Sequence, residues 1–191
     1  MSEQSLVSVI INCFNGEKYL REAVNSVIVQ TYKNWEIIFW DNQSTDQSAE
    51  IFKSFNDPRL KYYYAPSYTS LYKARNHAVE KSNGEFIAFL DSDDWWASEK
   101  LEIQMNLFKD KEVGLVYSNY YIYNEETRRK KLATKKKLPS GIVTNSLLAN
   151  YNVGIITVII RKKLFNTFKG GFDGKYNIIG DFDFIIKLSK V

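Results

Sequence analysis

Asp91, Asp93 and Asp94 lie near the end of the stretch GEFIAFLDSDDWW, residues 84–96, in which an apolar run leads directly into three carboxylates and two tryptophans. Asp91 and Asp93 are two positions apart, so around a turn both can reach one cation, or one cation and a ribose. Carboxylate oxygens suit Mg²⁺ or Mn²⁺, and a site that supplies only one or two of them leaves coordination positions for substrate phosphates. The chemistry indicated is a diphosphate held through a divalent metal. The plainer alternative is a helix start, with Asp94 or Ser98 accepting backbone N–H bonds and the acids favoured by the helix dipole. The position of the acids at the end of an apolar run favours the metal.

Other chemistries are excluded by what the chain lacks. Cys13 is the only cysteine and His77 the only histidine, so a disulfide within the chain, a Cys- or His-rich zinc site and most His-dependent triads are ruled out. Cys13 is expected to pack as a small apolar side chain and His77 to lie on or pack against a helix. Neither GxxxxGK[ST] nor GxGxxG occurs, so no Gly-rich backbone cradles phosphates. A cation and basic side chains must neutralise a diphosphate instead. Two further polar clusters, NCFN at 12–15 and DNQSTD at 41–46, also follow apolar runs.

The elements that position these clusters alternate. LVSVII, WEIIFWD, LKYYYA, EFIAFL and VGLVYSNYYIYN read as strands. Between them EKYLREAVNSVIVQ reads as a helix burying Leu20, Val24, Val27 and Ile28, TDQSAEIFKSFN as one capped by Thr45 or Ser44, SLYKARNHAVEKSNG as one stopped by Gly84, and ASEKLEIQMNLFKDK as one capped near Ser98. Strict alternation predicts an α/β fold: a Rossmann-like, mostly parallel central sheet with helices on both faces. Ligands of such sheets bind beyond the carboxyl ends of the strands, where all three polar clusters fall.

After residue 124 the basic run and LPSG read as a loop, VGIITVIIRKKLF as a strand leading into a short helix, and GGFD as a turn. GDFDFIIKLSKV is a helical pattern that stops at Val191 without a cap, the ending of a chain cut short or of a short member of its class. With 191 residues, 45% of them hydrophobic, one globular domain is expected. No run approaches a membrane span and the N-terminus has no leader pattern, which predicts a cytoplasmic protein. RRKKLATKKK, residues 128–137, holds seven of the 26 basic side chains. It reads as a solvated loop or, more sharply, as contact with an anionic membrane surface or a phosphorylated substrate. Nucleic acid is not indicated, since the run lacks interleaved aromatics.

VSVIINCFNGEKYLREAVNSVIVQTYKNWEIIFWDNQSTD, residues 7–46, together with ARNHAVEKSNGEFIAFLDSDDWW, resembles the family 2 glycosyltransferases of the GT-A fold. The opening strand, the S-x-x-x-Q-T-Y helix end, the acid-rich loop, A-R-N and D-x-D-D arrive in family order, closely to about residue 124 and more loosely to GDFDFIIKL. The resemblance implies a metal-dependent, inverting, hexosyltransferase-type enzyme. It would use Mn²⁺ or Mg²⁺ to move a sugar from a nucleotide-sugar donor, UDP-linked by expectation, to a hydroxyl of a glycan or lipid-linked acceptor in bacterial surface polysaccharide synthesis. Residues 1–124 would form the nucleotide-sugar half and 125–191 the acceptor side of one domain. Phe14 would stack on the base, Asp41 accept bonds from base or ribose, Arg75 lie near the phosphates, Asp91 hold ribose or metal and Asp93 ligate the metal. Asp181 would be the catalytic base, with Asp183 the alternative two residues on. Trp95 or Trp96 is a sugar platform or core. Three positions depart from the family pattern: Asn12 replaces a proline, Asn42 a second acid and Gly180 the Glu before the base. A non-catalytic nucleotide-sugar-binding module and a sugar-1-phosphate nucleotidyltransferase are the competing readings, the second lacking its Gly-rich phosphate loop.

Overall fold

The computed structural model describes residues 4–168 and 171–190. In chain order its elements are β1 (Val7–Cys13), α1 (Glu17–Ile28), β2 (Trp35–Asp41), α2 (Ser48–Lys53), β3 (Leu60–Tyr64), α3 (Leu71–Glu80), β4 (Phe86–Phe89) and α4 (Lys100–Leu107). There follow β5 (Leu115–Val116), β6 (Tyr121–Asn124), β7 (Arg129–Leu132), α5 (Thr144–Ala149), a 3₁₀ turn (Ile155–Thr157), β8 (Ile159–Arg161), α6 (Lys162–Thr167) and α7 (Gly180–Leu188). One sheet has the order β3-β2-β1-β4-β8-β5. β1 pairs in parallel with both β2 and β4, β2 with β3 likewise, and β8 runs antiparallel between β4 and β5. The mostly parallel α/β sheet expected from the alternation is therefore what forms.

β1 and β2 are buried along their whole length because both faces of the sheet are covered. Val7, Val9 and Ile11 face a core built with α1, α2 and α4, including Leu20, Val24, Val27, Phe52 and Leu101. Ile10, Ile38, Ile87 and Phe89 face a second core with α3, α5, α6 and α7. At the amino ends of the strands Glu36 accepts from Ser8 Oγ at 2.6 Å, from the Asn83 amide at 2.7 Å and from Lys61 Nζ at 2.5 Å. Burial alone would raise the Glu36 carboxyl, but these donors outweigh it and hold its pKa below the usual range. Gly84 belongs to this junction: a Cβ there would lie 2.7 Å from the Leu6 carbonyl oxygen and the Ser8 nitrogen.

Several local expectations change. α3 ends at Glu80, so Gly84 serves the close approach to β1 rather than the helix stop. α2 begins after Gln47 without a side-chain cap because Ser44 and Thr45 are engaged with the loop after β1, and α4 begins after Glu99, likewise without one. The strand read over 113–124 breaks in two: the Asn119 side chain takes the Thr134 carbonyl at 2.7 Å and receives the Tyr120 amide at 3.0 Å, which turns the chain out of the sheet into a β6–β7 hairpin. The first half of the basic run is thus strand β7, not loop. α5 lies in a segment to which the sequence assigned no element. The expected ending at Val191 lies outside the described residues, as do Lys169 and the first glycine of the GGFD turn.

Candidate active site

The strand order reverses at β1: the chain moves outward through β2 and β3, then returns to place β4 on the other side. A crevice opens at such a switch point beyond the carboxyl ends of the two central strands. The loops after β1 and β4 meet there. Gly16 shows how closely, since a Cβ on it would stand 2.8 Å from Cys13 Sγ and 2.8 Å from Ser92 Oγ. Cys13 is buried beneath this contact, and burial pushes its thiol pKa up, as befits a packing residue.

The loops after β1 and β2 are stitched together by their own polar side chains. Asn15, at φ +55°, gives its amide N–H to Ser44 Oγ at 3.1 Å and accepts the Thr45 amide at 2.8 Å, while Gly16 N–H donates to Ser48 Oγ at 2.9 Å. Across the starts of α1 and α2 the Glu17 amide donates to Asp46 Oδ2 at 3.0 Å and the Gln47 amide donates to Glu17 Oε2 at 2.9 Å. This bracing leaves Phe14 51% exposed, edge-on to the exposed Tyr68 ring at 4.9 Å. Asp41, expected to accept bonds from base or ribose, has both oxygens engaged within the protein. It is fully buried, one oxygen accepting the Ser44 amide at 2.7 Å and the other the Tyr62 hydroxyl at 2.6 Å. In this state it braces the loop that presents Phe14. Asn42 clamps the Thr69 backbone, donating to its carbonyl at 2.8 Å and accepting its amide at 3.2 Å. A carboxylate could not donate, which explains an amide at this position.

In the loop after β4, Asp91 and Asp94 close a turn through the Asp94 amide. Arg75 is buried and its Nη2 lies 2.5 Å from Asp91 Oδ1, while the Asp91 side chain stays 35% exposed. Asp93 is exposed. Burial, together with Asp91 and Asp93, pushes the Asp94 carboxyl up to about 6. No group of three or more His, Cys, Asp or Glu side chains is arranged for a metal among the described residues. The donor set is hard carboxylate oxygen, one carboxylate anchored and one open, with negative charge crowded enough to disfavour ionisation of a third. That set fits an Mg²⁺ or Mn²⁺ that takes one or two carboxylates and completes its sphere with phosphate and water.

The far side of the crevice is built on α3. Asn76 clamps Phe172 by two bonds, 2.7 Å to its carbonyl and 2.9 Å from its amide, and Ser70 Oγ holds the Gly174 carbonyl at 3.2 Å. These contacts fix the approach to α7, whose first turn carries Asp181 and Asp183. Asp181 is inside the helix rather than its cap; its Oδ1 accepts the Phe182 amide at 2.9 Å and lies 3.4 Å from the Tyr72 hydroxyl. Asp183 is tied to Lys187 at 2.6 Å, one helical turn on. The two carboxylates that the sequence left in competition are thereby separated: Asp183 is paired along its helix and Asp181 faces α3.

Trp96 is core, its Nε1 donating to the Ile156 carbonyl at 2.9 Å. Trp95 is half-exposed beside the acid loop, with the Tyr123 ring edge-on at 5.4 Å and Lys130 Nζ 5.7 Å from its ring. The β6–β7 hairpin therefore leans on the mouth of the crevice. Its turn is tied to α1 by Glu125, which accepts the Tyr19 hydroxyl at 2.6 Å and pairs with Lys18 at 3.1 Å. His77 stacks on Trp40 at 5.5 Å. Sequence reasoning missed Tyr62, Tyr72 and the clamping role of Asn76. The only available signal was adjacency, since Tyr72 and Asn76 flank Arg75 on the same helix.

The chain resembles known proteins over this whole framework. It is 35% identical over 167 residues to the Escherichia coli UDP-Glc:alpha-D-GlcNAc-diphosphoundecaprenol beta-1,3-glucosyltransferase WfgD, covering 87% of this chain and 64% of that protein. To the putative teichuronic acid biosynthesis glycosyltransferase TuaG of Bacillus subtilis it is 31% identical over 160 residues, covering 83% and 63%. The chain thus spans just under two thirds of the length of these relatives. Among solved structures, S. aureus TarS 1–349 in complex with UDP superposes with a TM-score of 0.74 at 23% identity, covering 96% of this chain and 54% of the other. The mannosyltransferase PcManGT of Pyrobaculum calidifontis, in complex with GDP-Man and Mn²⁺, gives 0.68 at 18% identity, covering 91% and 49%. At these identities the structures show a shared GT-A fold. The family model described as glycosyl transferase family 2 matches residues 8–168, so the loops that meet at β1 and β4 and the helix that carries Arg75 all lie inside it, and the chain belongs to that family.

Proposed function

We propose that the crevice binds a UDP-linked sugar and that its sugar passes, with inversion at the anomeric carbon, to a hydroxyl of a lipid-linked or glycan acceptor in bacterial surface polysaccharide synthesis. The observation that carries this reading is the meeting at one switch point of an exposed aromatic face, Phe14, with a carboxylate loop in which Asp91 is anchored and Asp93 is open. Relatives named as a UDP-Glc transferase to a diphosphoundecaprenol acceptor and as a teichuronic acid enzyme support the substrate class, and a neighbour of the same fold holds UDP.

In this reading Phe14 stacks on the base while Asp41, buried behind it, accepts the Ser44 amide and the Tyr62 hydroxyl and so holds the loop after β2 in place. Arg75 acts through Asp91, holding one oxygen so that the other is aimed at ribose or metal. Asp93 completes the protein's contribution to an Mg²⁺ or Mn²⁺, which when bound neutralises the departing diphosphate. Asp181 receives the proton of the attacking hydroxyl through the oxygen that has no partner among the described residues. Residues 1–124 supply the donor half and 125–191 the acceptor side. A site for such acceptors is at the cytoplasmic face of the membrane, where the basic segment 128–137 meets anionic headgroups; no described helix is long and apolar enough to cross a membrane.

The test is titration calorimetry with UDP, with and without Mn²⁺, paired with assays of UDP-sugar hydrolysis and transfer. Metal-dependent binding with turnover is expected. Binding without hydrolysis or transfer would make the chain a nucleotide-sugar-binding module, and pyrophosphate-dependent turnover would make it a nucleotidyltransferase.

A further inference from the structure

Tyr72 stands one helical turn before Arg75 on α3, with its ring 5.7 Å from the Arg75 guanidinium and stacked at 5.7 Å on Phe172. Its side chain is buried, yet its hydroxyl points to the head of α7, donating to the Ile178 carbonyl at 2.8 Å with Asp181 Oδ1 3.4 Å away. The ring occupies the space above Gly180, where a Cβ would stand 2.6 Å from two ring carbons. The glycine immediately before Asp181 is therefore what admits the phenol. α3 then carries both ends of one connected set: Arg75 to Asp91 on the donor side, Tyr72 to Asp181 on the acceptor side.

We infer that Tyr72 is the positioning residue for Asp181, its hydroxyl fixing the carboxylate at the head of α7 relative to the Arg75–Asp91 pair. Phenylalanine would stack on Phe172 equally well, so what the hydroxyl adds is its bond to the Ile178 carbonyl at the head of α7, with Asp181 Oδ1 within 3.4 Å. The hydroxyl has one proton and two acceptors in reach, Ile178 O and Asp181 Oδ1. Bonds at catalytic groups that are long in the free protein commonly tighten in the loaded complex. Burial and the neighbouring Asp181 charge push the Tyr72 pKa up, so the phenol keeps its proton and remains a donor. With Oδ1 held by the Phe182 amide and the phenol, Oδ2 is the oxygen presented to an acceptor.

This inference rests on Asp181 being the base, and the experiment separates the two. Turnover is read as UDP release from UDP-glucose with a GlcNAc-diphosphoryl polyprenol, and stability as melting temperature, for the parent, Tyr72→Phe, Asp181→Ala and the double variant. Tyr72→Phe is expected to lower kcat about 10- to 100-fold, the cost of a misplaced catalytic group, with donor KM and Mn²⁺-dependent UDP affinity unchanged. The double variant is expected to be no slower than Asp181→Ala, because the phenol acts through the carboxylate. The melting temperatures are likewise expected to be non-additive. Losses that multiply in turnover and add in melting overturn the inference, as does parental turnover by Tyr72→Phe beside an inactive Asp181→Ala. Parental turnover by Asp181→Ala overturns the base assignment and the inference together.

Discussion

Arg75→Met removes the guanidinium and keeps most of the apolar length, which isolates the pair with Asp91. In the parent the Nη2–Oδ1 distance is 2.5 Å and the arginine side chain is only 4% exposed. A hydrogen bond to a charged group contributes about 1.5–3 kcal/mol. The lower end applies, because Asp91 is 35% exposed and water takes up part of its charge once the partner is gone. The guanidinium also lies 5.7 Å from the Tyr72 ring and 5.9 Å from the Phe172 ring, contacts that contribute roughly 0.5–1 kcal/mol each. The sum is about 2.5–3.5 kcal/mol. In a domain of this size each kcal/mol moves the melting temperature about 2–4 °C, so a fall of roughly 5–14 °C is expected. Thermal melting followed by circular dichroism reads it, and calorimetry with UDP and Mn²⁺ reads the accompanying loss of affinity. Arg75→Lys, which keeps the charge but not the planar fork, should fall between. The reasoning is refuted if Arg75→Met melts like the parent while losing UDP affinity, for the guanidinium then serves the donor directly and its bond to Asp91 is incidental.

Asp93→Asn should greatly weaken Mn²⁺-dependent UDP binding while the melting temperature holds; unchanged metal-dependent affinity in calorimetry removes Asp93 from the metal site. Asp94 titrates at about 6 in the fold against 3.8 ordinarily, so the folded chain binds the extra proton and loses stability as pH rises through that window. Asp94→Asn should therefore raise the melting temperature of the metal-free protein above about pH 7 and change little below about pH 4, where both states are protonated. Asp181→Asn should keep the fold and bind donor, yet transfer sugar at least ~100-fold more slowly, the lower range for removal of a positioned base; if Asp183→Asn fails instead, Asp183 is the base. Replacing Arg129, Lys131, Lys135 and Lys136 should weaken binding to anionic vesicles at low salt by about 1 kcal/mol per side chain, and equal binding of the parent to neutral and anionic vesicles in a sedimentation assay would assign the segment to solvent.

The alternation of strands and helices, and the placing of polar clusters after apolar runs, were legible in the sequence because both are local signals. Apolar runs such as VSVII and FIAFL can bury themselves only in a sheet covered on both sides, and alternation with amphipathic helices leaves a parallel arrangement as the economical solution. The acids after β4 stood out by their spacing together with their place at the end of an apolar run. What the sequence could not determine is which polar atoms would find partners, since that depends on residues far apart in the chain. Asp41 was read as accepting bonds from base or ribose, and in the structure its two oxygens are taken by the Ser44 amide and by Tyr62 on the next strand. Arg75 and Asp91 are 16 positions apart and meet only once α3 packs across β1 and β2. Asp181 was read as the base and Asp183, two residues on, as the alternative; Lys187 pairs with Asp183 along its own helix, while α3, more than a hundred residues earlier, turns toward Asp181. The basic run likewise reads as solvated charge until Asn119 turns the chain and half of it pairs as a strand against Tyr121–Asn124. Periodicity fixes which face of an element is apolar; only closing the loops in space decides which charges are paired, which are buried and which remain open to a substrate.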